Sequence, residues 1–287
     1  MSANASVNNL ISVCTAFVIT ALVLTNVAFV SGQSKTTDAA ALEMKADTLL
    51  GQQDYAGAIT LFNKIISSSK NVKDEIYYKR AFALYNAGDY DKALADVNRY
   101  LTNHNEFQAR ALRAYIYQEL GDFKKELAEI TEIMKTNDSP DMVRWRVSIA
   151  MEAGEYELAQ QDIKRLLALN SNPELESYLA LTYYYQENMD SAMSVVNKII
   201  KDKPDFVQAY LYAGSFMLEE ENYNLALEYI NSGLGHDPAN PSLMFYKGVA
   251  LAELKNLDEG CRCLYKAFSS GVDDAADYLK EYCYSSE

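Results

Sequence analysis

The chain has 287 residues, 49% of them hydrophobic, with only 12 glycines and 5 prolines. That is enough apolar material for a real core, which excludes wholesale disorder, and too little Gly and Pro for a fold of many short strands. The formal net charge of −14 repels phosphate backbones and anionic lipid, which argues against nucleic acid as a partner.

In chain order, the first charged side chain is Lys35, and the run from Leu10 to Val30 is apolar and long enough to enter a membrane. Small residues follow at Ser31 and Gly32. The predicted reading is a secretory signal over residues 1–32, cleaved near Gly32 or Gln33, and a linker over 33–38. The alternative is an uncleaved anchor at residues 10–30, because no Lys or Arg precedes Leu10. Cys14 lacks the small residue expected beside a lipidated cysteine.

From residue 39 a period appears. A small residue recurs twelve positions before an alanine: Ala46 and Ala58, Ala81 and Ala93, Ala180 and Ala192, Gly214 and Ala226. Degenerate copies are Ala114 with Glu126, Val147 with Ala159, and Gly248 with Gly260. Units start near Ala39, Asp74, Phe107, Pro140, Pro173, Val207 and Pro241, at steps of 33 to 35 residues. Such regularity implies a repeat architecture. Within each unit an aromatic or large apolar residue stands three places before the second small site, and an apolar residue four places after it. That spacing keeps one helical face apolar. Every proline falls at a unit junction; Ser139-Pro140 and Asn172-Pro173 read as an N-cap followed by proline at the first helical position.

These residues resemble the tetratricopeptide repeat family, whose helix–turn–helix unit carries small residues at its eighth and twentieth positions. The resemblance covers residues 39–271, about seven units. It implies an all-α, right-handed α-solenoid of about seven helix pairs, with residues 272–287 forming a C-terminal capping helix and tail. Units three and seven depart at Glu126 and Gly260, so looser helix pairs are expected there. The resemblance also places the first helix of each unit on a concave groove. Its candidate partner-binding residues are Tyr78, Phe82, Tyr85, Tyr115, Arg144, Leu181, Tyr184, Leu211 and Phe245. Arg144 is the one strong cation among the groove positions, so a clamp of cations for an acidic C-terminus is not expected.

At the C-terminal end, Cys261, Leu264, Tyr265 and Phe268 share the helical face expected to receive the cap. The arrangement from Gly260-Cys261 to Tyr282-Cys283 resembles the end of exported repeat proteins of Bacteroidota-type bacteria. That resemblance implies a Cys261–Cys283 disulfide and a location in the periplasm or cell envelope of a Gram-negative bacterium. Whether Cys261 or Cys263 pairs with Cys283 stays open. The histidines, His104 and His236, are expected in exposed inter-unit turns. No phosphate-binding, nucleophile or metalloprotease motif occurs, and Cys-x-Cys without a second pair makes no zinc site. No catalytic residue, metal, cofactor or small-molecule substrate is therefore expected. The sequence reads as a non-enzymatic scaffold for a protein or peptide partner, its membrane contact confined to an uncleaved N-terminal segment. The alternative is a structural subunit of an envelope or secretion assembly, contacting partners by its convex face or ends.

Overall fold

A computed structural model describes residues 38–284; the predicted signal or anchor lies outside the described residues. The described chain is all helical and divides into two compact units, one ending at Glu155 and one beginning at Tyr156. Unit 1 contains α1 (Asp38–Gly51), α2 (Tyr55–Ser68), α3 (Asp74–Asn86), α4 (Tyr90–Leu101), α5 (Phe107–Glu119), α6 (Phe123–Met134) and α7 (Pro140–Glu152). Unit 2 contains α8 (Tyr156–Leu169), α9 (Pro173–Tyr185), α10 (Met189–Asp202), α11 (Val207–Glu219), α12 (Tyr223–His236), α13 (Pro241–Glu253), α14 (Leu257–Ser269) and the short α15 (Ala275–Tyr278). It ends in a π-helical turn (Leu279–Cys283). The division falls in the turn of the fourth repeat.

Within each unit, consecutive helices pack side by side, and the first helices of neighbouring repeats also touch: α3 on α5, α9 on α11, α11 on α13. The cause is the small-residue pair. Ala46, Ala58, Ala81 and Ala93 are wholly buried, and so are Ala180, Ala192, Ala226 and the apolar residue four places after each second small site: Phe62, Val97, Ile130, Ile163, Val196, Ile230 and Leu264. Small side chains let the axes approach, and the next turn supplies the bulk that fills the space between them.

Each turn between paired helices uses one residue with left-handed backbone: Gln53, Gly88, Gly121, Gly154, Glu187, Glu221 and Lys255, with φ from 55° to 79°. The residue after it donates its N–H back into the helix just ended, as Asp89 does to Leu84 and Asn222 to Met217. This satisfies carbonyls that the helix end would leave unpaired. Several helices start on side-chain caps. Asp54 accepts from the Gly57 N–H, Asn172 from Leu175 and Asn240 from Leu243, and Pro140, Pro173 and Pro241 stand in first turns where an N–H is not needed.

Part-buried ion pairs tie helices together inside two repeats of unit 1. Arg80 on α3 reaches Asp96 on α4 through Nε at 2.6 Å and Nη2 at 2.8 Å. One repeat on, Arg110 and Arg113 on α5 hold Glu129 on α6 at 2.9 and 2.6 Å. Arg80 and Arg113 stand at one repeat position, and so do Asp96 and Glu129.

The expectation of looseness in the seventh repeat is corrected. A Cβ placed on Gly248 would lie 2.7 Å from Leu264 Cγ and 3.0 Å from the Gly260 carbonyl oxygen. Two facing glycines bring α13 and α14 closer than an alanine pair allows. In the third repeat α5 and α6 stay packed, with Glu126 fully buried between them. The C-terminal cap is also shorter than a full helix. Leu264, Ala267, Ala275 and Leu279 form its buried contact, while Tyr265 and Phe268 remain 43% and 45% exposed. One helical turn and a π-turn cover one stripe of α14, not its whole face.

Candidate partner-binding groove

In unit 1 the site begins with Tyr78, Phe82 and Tyr85, which stand four and three residues apart on α3 and so share a face. All three are half-buried and pack against the core of the second and third repeats. Tyr78 lies against Tyr100 at 5.1 Å between ring centroids, Phe82 edge-on to Tyr55 at 6.4 Å, and Tyr85 against Tyr90 at 5.8 Å. Each ring is held by one neighbour while part of its surface stays open. Such rigid aromatic surface costs little entropy to use in binding. Burial pushes the Tyr78 and Tyr85 hydroxyls up, Tyr85 to about 12, with Glu119, Tyr90, Tyr115 and Glu126 adding to the latter shift.

Tyr115 on α5 is buried, stacked on Trp145 of α7 at 5.2 Å and 23°. Near Trp145 lies Glu126 of α6, with no solvent exposure and no hydrogen-bond partner for either carboxylate oxygen. Loss of water pushes its carboxyl up to about 8; the Trp145 side chain opposes the shift without reaching hydrogen-bond geometry, and Glu152 adds to it. Arg144 is spent locally, on Asp141 of its own helix at 3.3 Å.

In unit 2 the candidates divide. Tyr184 on α9 is half-buried, stacks on Phe216 of α11 at 4.5 Å, and keeps its proton to about 12 through burial and the facing Glu219 carboxylate. Leu211 on α11 is half-buried. Phe245 on α13 is buried against Tyr246 and Tyr278, at 5.2 and 5.3 Å. Leu181 is a correction: at 2% exposure it belongs to the core and presents no surface to a partner. Tyr282 of the π-turn donates to Glu253 at the end of α13, which holds its hydroxyl proton on.

Several residues beside the candidate side chains carried no signal of their own. Glu119, Glu152, Glu219 and Glu253 each close the first helix of their repeat. Their recurrence at the unit's thirteenth place was readable once the repeats were aligned. Read singly, Glu219 is one of three acids at a solvated helix end. Trp145 carried no pattern signal, because its place in the unit is not one assigned to the groove by the resemblance. His104 is also corrected: it is half-buried, stacked on Tyr100 at 4.3 Å and placed between Asp74 and Glu106, at 3.5 and 3.4 Å. His236 is exposed at the end of α12, against Tyr210.

At the C-terminal end Cys261 is joined to Cys283, with 5.9 Å between their Cα atoms, and Cys263 is a half-buried thiol whose pKa burial raises. Among the described residues no group of three or more His, Cys, Asp or Glu side chains could hold a metal ion. Nor is any described helix long and apolar enough to cross a membrane.

A family profile described as anaphase-promoting complex, cyclosome, subunit 3 matches residues 28–132. No curated protein matches the sequence. Among solved structures, the C-terminal part of a TPR repeat-containing protein from Cytophaga hutchinsonii superposes with a TM-score of 0.55 at 20% identity, covering 82% of this chain and 98% of that one. A tetratricopeptide repeat protein from Parabacteroides merdae gives a TM-score of 0.53 at 17% identity, covering 84% of this chain and 97% of that one. The chain shares the tetratricopeptide-repeat fold of these structures.

Proposed function

We propose that the protein is a non-enzymatic scaffold of the cell envelope that holds a protein or peptide through the aromatic groove of its first helices. Helix-pair repeats build extended binding surfaces rather than catalytic pockets. The observation that carries the reading is the rank of half-buried rings on α3, Tyr78, Phe82 and Tyr85, each braced by a neighbouring ring and each partly open. Export is supported by the uncharged run before Lys35 and by the Cys261–Cys283 bridge, which suits an oxidising compartment.

The test is affinity capture from the native envelope with the wild type and with the Tyr78→Ala, Phe82→Ala double variant. The expected result is loss of the captured partner with the far-ultraviolet helical signal intact. Undiminished capture by a folded double variant removes the groove of unit 1 from the reading. A second reading, a structural subunit contacting its assembly by an end, is favoured by the exposed Leu257, Tyr265 and Phe268 on α14. Crosslinks confined to α14 and the other second helices would select it.

A further inference from the structure

The twentieth position of the repeat holds alanine in five of the seven units, at Ala58, Ala93, Ala159, Ala192 and Ala226, and glycine at Gly260. In the third it holds Glu126, a carboxylate buried without a hydrogen bond. A charge in such a place is costly unless something pairs it. Five cations of unit 1 are engaged elsewhere: Lys79 with Glu43 and Asp47, Arg80 with Asp96, Arg110 and Arg113 with Glu129, Lys125 with Asp122. Neither Glu126 oxygen has a hydrogen-bond partner, and the charge acting on it is a second carboxylate. Glu152 on α7 acts on Glu126 itself, and Glu119 on α5 acts on Tyr85, which also feels Glu126. Rings stand close by: Trp145 acts on Glu126, Tyr115 stacks on Trp145, and Tyr85 feels both Tyr115 and Glu126.

We propose that this part of the groove recognises a basic side chain, lysine or arginine, of an extended peptide, seated against the Tyr85 and Trp145 rings with Glu126 as its buried counter-charge. The proposal rests on the groove reading above and names the chemistry of what the groove takes. Aromatic faces, indole most of all, attract a desolvated cation, and a carboxylate beneath them supplies a charge-assisted hydrogen bond. Glu119, exposed, and Glu152, half-buried, draw the cation in from solvent. In the free protein a proton occupies the place the cation takes, because burial holds the Glu126 carboxyl neutral at pH 7. Binding therefore exchanges that proton for the peptide's charge. Glu126 is closed off in the free state, so the incoming cation displaces the Trp145 ring. Trp145 is the only tryptophan in the chain, which makes the event directly visible.

The experiment is calorimetric titration of the protein at pH 7 with an acetylated, amidated Lys-Ala-Lys-Ala-Lys peptide, in two buffers of different ionisation heat. Trp145 fluorescence is followed in parallel. The expected result is saturable binding, release of about one proton per peptide and a change in Trp145 emission; the matching glutamate peptide gives none of these. Glu126→Gln removes the counter-charge and relieves a buried acid, so the variant stays folded. It is expected to weaken lysine-peptide binding roughly ten- to a hundred-fold. Glu132→Gln, the same loss of charge at a residue paired with Lys135 on α6, is expected to change it less than about two-fold. Equal weakening by both variants, no proton release, or a silent Trp145 overturns the proposal. If the captured envelope partner is lost from the Tyr78→Ala, Phe82→Ala variant yet kept by Glu126→Gln, the groove stands and the cation site falls.

Discussion

Glu126→Gln is also the substitution whose effect on stability follows most directly from the structure. The carboxyl sits at about 8 in the folded chain against an ordinary value of 4.5. Folding raises it, so the folded state binds the proton more tightly than the unfolded chain does. The stability it contributes is complete below about pH 4.5, falls as pH rises from there to about 8, and levels off above that. Each pH unit inside the window is worth about 1.4 kcal/mol. The 2.5 units from 4.5 to pH 7 therefore remove about 3 kcal/mol, a large part of an ordinary domain's stability. Glutamine keeps the shape and does not titrate. The assay is urea unfolding at pH 5, 6, 7 and 8, followed by the emission of Trp145 in unit 1. The wild-type stability is expected to fall relative to the variant by roughly 1 kcal/mol per pH unit across this range. Parallel stability curves for the two proteins would refute the claim that Glu126 is buried neutral.

Asp96→Ala is expected to cost about 1–3 kcal/mol in urea unfolding, because it leaves the half-buried Arg80 guanidinium with Asn63 as its remaining acceptor. Gly248→Ala forces a methyl to 2.7 Å from Leu264 and against the Gly260 carbonyl, and is expected to destabilise unit 2 by about 1–3 kcal/mol; a small or favourable effect would show that α13 and α14 can separate freely. Cys261→Ser opens a link spanning 22 residues and is expected to lower the unfolding free energy by about 3 kcal/mol, matched by reductant acting on the wild type. Non-reducing mass spectrometry of the native protein is expected to yield the Cys261–Cys283 peptide and none joining Cys263 to Cys283.

The helix-pair fold was legible in the sequence because its determinants are local and repeated. Ala81 and Ala93 announce a close approach between two helices joined by a short turn. Gly88 supplies that turn's left-handed residue, and Val97 fills the space one turn further on. None of this needs knowledge of a distant segment, and seven imperfect copies correct one another. Even so, Gln53, Glu187, Glu221 and Lys255 hold the same left-handed place without glycine, so residue type alone marks only some of the turns.

The candidate site was legible only in part, since a position in the repeat states which way a side chain leaves its helix but not what the next helix does with it. Tyr78, Phe82 and Tyr85 keep open surface, while Leu181 at an equivalent position is covered. Gly260 read as a weak repeat and is instead a close approach of α13 and α14, because its partner Gly248 is also small. The clearest case is Glu126. The sequence by itself determined that a carboxylate stands where the other repeats place alanine or glycine. Only the tertiary structure decided that Glu126 would be buried, with Trp145 and Glu152 of the next repeat beside it. The cost of a buried charge is set by what surrounds it on every side, and those surroundings come from three different helices.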